Sequence, residues 1–189
     1  MKRIFTLLFG VFCLFSLMLT SSCETDSTGD PATISDDNFY TGLGAAIVNC
    51  YNDIYNQNLA GKPTGAQSKT VNGPLGGTLT ITGTTSIDNT HNITTTDLVF
   101  NMNSVKYSYS YGGTSGKDWV AEVTLTGSST YSGSFSSTYT SVNHQANNLR
   151  VVGSVTNAGI VRNIDQTGSV VINRSSNISV TIFGHTVSW

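Results

Sequence analysis

Leu98-Val99-Phe100-Asn101-Met102, resuming after Asn103-Ser104 as Val105-Lys106-Tyr107-Ser108-Tyr109-Ser110-Tyr111, decides the fold class of this chain. An apolar side chain at every second position is the period of a strand, with Leu98, Phe100 and Met102 on one face and Asp97, Val99 and Asn101 on the other. The second half continues in the opposite phase. A turn or bulge is therefore expected at Asn103-Ser104, because a one-residue slip sends every later side chain to the other face.

The same alternation extends in both directions. Leu79 and Ile81 alternate with Thr78, Thr80 and Thr82, and Gly83 is expected to end that run. Trp119, Ala121, Val123 and Leu125 form the next face, expected to stop at Gly127, and Tyr131, Gly133, Phe135 and Tyr139 follow. Leu149, Val151 and Val155 form another strand, with Gly153 as a weak point on the same parity. Ile160–Ile164, Val170–Ile172 and Ile178–Ile182 read as further short strands, the first two separated by Gly168. His185, Val187 and Trp189 reverse the phase, which implies a tight turn at Phe183-Gly184. Gly112–Gly116 and Asn157-Ala158-Gly159 read as hairpin turns, and Lys62–Pro74 and Asn143–Asn148 as loops.

The period is different only from Ile34 to Tyr55. There Phe39, Leu43, Ile47, Cys50 and Ile54 share one helical face. Ser35 is placed as N-cap, Asp36 and Asp37 suit the positive end of the helix dipole, and Gly61 and Pro63 stop continuation. The C-terminal boundary is expected between Asn52 and Leu59. The fold class is thus mainly β: an antiparallel meander of about eight strands, forming a strongly curved sheet, a half-barrel or a barrel, with one amphipathic helix against its apolar face. The alternative is a parallel β-solenoid, suggested by passages such as Gly77-Thr78-Leu79-Thr80-Ile81-Thr82-Gly83 and opposed by the lack of a constant repeat.

The chain has 189 residues, 11% of them charged, and a net charge of −2. That length accommodates one core, and so few Lys and Arg exclude nucleic acid as a partner, since phosphate binding needs clustered cations. Met1-Lys2-Arg3 followed by the apolar Ile4–Leu19 and the small residues Thr20-Ser21-Ser22 has the three parts of a secretory leader. At about 1.5 Å per residue that apolar stretch reaches only ~24 Å, short of a ~30 Å hydrocarbon core. Residues 1–22 are therefore read as a leader, 23–33 as a flexible acidic tether, and 34–189 as a single domain.

Leu19-Thr20-Ser21-Ser22-Cys23 resembles the lipobox of bacterial lipoproteins, with Thr20 where that family has an aliphatic residue. The resemblance implies cleavage before Cys23, acylation of that cysteine, and a place in the cell envelope, at the outer membrane. Ordinary leader cleavage after Ser22 is the alternative, and an unacylated Cys23 would be free to pair with Cys50. Acyl chains anchor because each buried methylene contributes about 0.8 kcal/mol, so two or three chains hold where one does not.

Motifs for chemistry are sparse. His91, His144 and His185 lack metal-ligand spacing. His91 and His144 are expected in exposed loops, and His185 partly buried. Asp97 and Glu122 are the carboxylates that could face each other across strands, as a glycosidase needs, but a solvated sheet surface accounts for both. No Gly-x-Ser-x-Gly elbow or Gly-x-Gly-x-x-Gly fingerprint occurs. The expectation is a non-enzymatic protein with no cofactor or metal. Tyr107, Tyr109, Tyr111 and Trp119 are the candidate ligand contacts, because an aromatic row can stack on a sugar or line an apolar pocket. Ordinary packing at a core edge is the competing account. The expected partners are the membrane, through the lipid, and an apolar or carbohydrate ligand. The expected role is binding or envelope structure. A carrier holding an apolar ligand between helix and sheet, and an unrecognised hydrolase, are the alternatives.

Overall fold

The computed structural model describes residues 33–112, 118–138 and 140–189. The leader, Cys23, the tether through residue 32, most of the hairpin loop expected after Gly112, and Tyr139 lie outside the described residues. Helix α1 spans Asp36–Asn58. Its start follows the local chemistry: Ser35 is extended, at φ −60° and ψ 156°, and its hydroxyl accepts from the Asn38 N–H at 3.4 Å. Arg162 fastens that end to the sheet. Its guanidinium bonds the Asp36 carboxylate at 2.6 Å, donates to the Ile34 carbonyl at 3.2 Å, and lies 4.3 Å from the centre of the Phe39 ring. The whole expected stripe, Phe39, Leu43, Ile47, Cys50 and Ile54, is buried. Tyr40, Ala46, Val48 and Tyr51 are buried as well, so the covered face is wider than the spacing alone predicts.

Eight strands form one antiparallel sheet in chain order: β1 Gly65–Asn72, β2 Thr78–Asp88, β3 Ile93–Gly112, β4 Asp118–Phe135, β5 Thr140–Asn157, β6 Ile160–Arg174, β7 Ile178–Ile182 and β8 His185–Ser188. The meander is as expected. Its outer strands β1 and β8 each have one neighbour, so the sheet is not closed into a barrel, and antiparallel pairing throughout excludes the solenoid.

The strands are longer than their sequence suggests, for identifiable reasons. Residues 65–72, expected as loop, form edge strand β1; its inward side chains are at most half-buried, which erases the apolar alternation. Gly83, Gly127 and Gly168 do not end strands but lie within β2, β4 and β6, where a glycine still supplies both ladder groups. Residues 143–148 are not a loop either. Val142, His144 and Ala146 point inward in β5, and their polar neighbours point outward.

The phase change at Asn103-Ser104 is a bulge, with Ser104 at φ 54°: three steps from Met102 to Val105 face two from Gly127 to Leu125. Asn147-Asn148 hold a second bulge, where three steps from Ala146 to Leu149 face two from Val170 to Gly168. That bulge moves the apolar parity of β5 from Val142, His144 and Ala146 to Leu149, Val151 and Val155. The Ala158-Gly159 and Phe183-Gly184 turns have positive φ at both central residues, the geometry that matches the twist of a two-residue hairpin.

Helix α1 lies on the inward face of this sheet. Leu79, Ile81, Leu98, Phe100, Leu125, Leu149, Val151, Ile172 and Val180 meet it in a continuous core. A Cβ on Gly42 would come 3.0 Å from Val155, which marks how closely helix and sheet approach.

Candidate functional site

The outward ends of β4, β5 and β6 meet the second half of α1 around a cleft of about 390 Å³. Register assembles it. Tyr131 of β4 pairs with His144 of β5, which pairs with Ile172 of β6; one step outward, Val142 pairs with Arg174. All of these inward positions follow from alternation once the strands are continuous. Asn49, Asn52 and Asn56 of α1 supply a polar rim, together with Asp53, and Tyr55 and Phe135 add aromatic walls.

The floor is an aromatic stack. The His144 ring lies between Tyr51 and Tyr131, with centroids 4.4 Å and 4.2 Å away. Tyr131 also stacks on Phe100 at 5.8 Å, and Tyr55 meets Tyr131 and Phe135 edge-on. Tyr51 donates its hydroxyl hydrogen to Ser129 Oγ at 2.9 Å. His144 Nδ1 is buried and makes no hydrogen bond among the described residues.

Electrostatics keep this floor uncharged. Burial, reinforced by the Arg174 cation, drives the His144 pKa down to about 3, so the imidazole is neutral at physiological pH. Burial also raises the Tyr51 hydroxyl above its usual range and Tyr131 to about 12. Arg174 donates to Asn52 Oδ1 and has no carboxylate within salt-bridge distance among the described residues. The cleft thus joins a neutral aromatic base to one cation with donors to spare and a rim of amides. A neutral imidazole held this far below its ordinary pKa, with no hydrogen-bonded hydroxyl or thiol beside it, supplies a stacking surface and a polar nitrogen rather than a general base.

Sequence reasoning placed His144 in an exposed loop; it is buried, because Val142-Asn143-His144-Gln145-Ala146 is a short alternating strand segment whose inward members are only modestly apolar. That alternation was the available signal. His185, expected to be partly buried, is exposed on edge strand β8, with one ring face stacked on Tyr40 at 4.0 Å. His91 is exposed as expected and bonds Asp88 at 2.6 Å. Asp97 and Glu122 do not face each other: the first pairs with Ser132 and the second with Ser108. Cys50 is buried under the helix, which raises its thiol pKa to about 12 and leaves it a poor nucleophile.

Most of the aromatic row expected to contact ligand lies elsewhere. Tyr109 stacks on Tyr111 at 5.8 Å, and Tyr111 on its cross-strand partner Trp119 at 5.9 Å. Tyr107 donates to Asp53 Oδ2 at 2.8 Å, a bond that together with burial raises its own pKa. All four are half-buried. Trp119 and Tyr131 are separated by roughly 40 Å of strand at ~3.3 Å per residue, so the Trp119 end of the row lies apart from the His144 cleft, whereas Tyr107 reaches the cleft rim through Asp53.

Fold and cleft define a helix-covered, open antiparallel sheet with one aromatic, amide-rimmed recess on the helix side. Comparison with protein-family models, with curated proteins and with solved structures gives no match to this chain.

Proposed function

We propose that this protein is a non-enzymatic lipoprotein of the bacterial cell envelope, held at the outer membrane through acylated Cys23, whose β domain binds a small ligand. The observation that carries the binding role is the open cleft at His144, set beside a helix–sheet seam whose apolar side chains are closed to solvent. Phe39, Leu43, Ile47, Cys50 and Ile54 are each at most 2% exposed. Such closure argues against the carrier reading, because an apolar ligand between helix and sheet would have to displace packed core. The polar-rimmed cleft suits a ligand that remains partly hydrated.

The half-shell form belongs to the same reading. Two bulges in β3 and β5 support it, since a bulge bends its strand and increases local twist. The Tyr109, Tyr111 and Trp119 row is a second contact surface on the helix side, at the other end of β3 and β4.

Intact mass and fractionation of the native protein test the anchor. The expected chain begins at Cys23, carries the added mass of acyl chains and sediments with membranes, and Cys23→Ala releases it to the soluble fraction. An unmodified mature amino terminus in the native protein would remove the tether from this account.

A further inference from the structure

The chemistry lining the His144 cleft specifies its ligand more narrowly, on the reading that the cleft is a binding site. We propose that it takes a sugar acid: a small saturated ring bearing a carboxylate, with the carboxylate on Arg174 and a ring face on Tyr55 and Phe135. Three independent features converge on that class. Arg174 is a half-buried cation that donates to the neutral amide of Asn52, and no carboxylate lies within salt-bridge distance of it among the described residues. A guanidinium with donors left over in a recess is matched by an anion that can accept two parallel bonds.

The walls supply the second feature. Tyr55 and Phe135 stand edge-on to each other at 5.4 Å, over the Tyr131–His144 stack, so the recess presents aromatic surface to whatever enters. The apolar C–H face of a sugar ring stacks on such surface, as does an aromatic ring. Asn49, Asn52 and Asn56 decide between them. Asn49 donates its amide to the Ala45 carbonyl at 2.8 Å, which leaves its oxygen as an acceptor, and Asn52 Oδ1 is taken by Arg174, which leaves its NH2 as a donor. A rim offering both kinds of group pairs with several hydroxyls, which a simple aromatic acid lacks.

His144 is the third feature. Its Nδ1 is buried with no protein partner among the described residues, which leaves a polar group both desolvated and unpaired. A ligand hydroxyl, which can donate or accept, would relieve it once the rings that cover the nitrogen shift to admit it. Asp53 also lines the cleft, with its Oδ2 accepting from Tyr107 of β3, so the carboxylate of the ligand must take the Arg174 side of the recess.

The test is calorimetric titration of the full chain, in mild detergent, with glucuronate, glucose, methyl glucuronate and benzoate. Glucuronate is expected to bind at least tenfold more tightly than glucose or the methyl ester, and more tightly than benzoate. Arg174→Gln should abolish the preference for the free carboxylate, and Tyr55→Ala should weaken glucuronate and glucose together. Arg174→Lys keeps the cation and should retain the preference, and an unchanged urea midpoint for Arg174→Gln separates loss of charge from loss of fold. Equal binding of glucuronate and glucose would overturn the carboxylate assignment and leave the cleft a neutral sugar site. Tighter binding of benzoate would overturn the sugar, and no binding of any probe would overturn the inference as a whole. The mass and fractionation of the native protein stand or fall independently of all three.

Discussion

His144 has the largest consequence of any single side chain here. In the unfolded chain it titrates near its ordinary value of 6.5, whereas in the fold burial and Arg174 hold it to about 3. Between those values the unfolded state binds a proton that the native state does not. Stability is therefore fully present above pH 6.5 and is lost as pH falls toward 3, at up to about 1.4 kcal/mol per pH unit. The groups around the ring are the Arg174 cation and the neutral rings of Tyr51 and Tyr131. His144→Phe keeps the stack and removes the titrating nitrogen. Urea unfolding at pH 7, 6, 5 and 4.5 is expected to show a steeper decline for the native protein than for the variant. Parallel declines would mean that His144 titrates normally in the fold.

At the scale of elements, the strands are held as much by what glycine omits as by what other residues add. Gly153 sits in mid-strand β5 opposite Val123, and a Cβ there would run into the Glu122 carbonyl of β4. Gly153→Ala must push two central strands apart, at a cost of about 1–3 kcal/mol or more. Gly159 makes a useful contrast. It occupies a hairpin turn at φ +84° with open space where a Cβ would go, so Gly159→Ala carries only the left-handed backbone penalty, about 1 kcal/mol. Chemical denaturation of both variants should rank them in that order, and the reverse order would show that β4 and β5 do not approach so closely in solution. Sequence reading took Gly153 for a weak point and Gly83 and Gly127 for ends. The positions were legible, but the close approach that gives them their meaning is to another strand, at Asp97 for Gly83, Asn148 for Gly127 and Glu122 for Gly153.

For the molecule as a whole, an open meander predicts graded stability. Central strands β4 and β5 pair with a strand on both sides, whereas β8, although it too touches α1, has four residues and a single neighbouring strand. Local opening follows the number of partners that must be broken. Native-state hydrogen exchange is expected to be slowest at inward β4 and β5 positions such as Val123 and Val151, intermediate in β1, and fastest in β8 around Thr186. Protection of β8 equal to that of β4 would require a covering partner along that edge. The same openness explains the polar character of β1, where Gln67, Lys69 and Thr70 lie along an edge that would otherwise template association.

Period, capping and turn chemistry were enough to determine from sequence the β class, the meander, the Asp36–Asn58 helix with its buried stripe, the break in phase at Asn103-Ser104 and the Phe183-Gly184 turn. Each of these is written in contacts between residues close along the chain, where side-chain spacing maps directly onto a face. Strand lengths, the open edges and the His144 cleft were decided only in three dimensions. Gly83 and Gly168 continue their strands because neighbouring strands complete their ladders, and His144 is buried because Tyr51, from a helix more than ninety residues earlier, closes over it. Local spacing carries no record of which distant ring will cover a histidine, so the site appears only when helix and sheet are brought together.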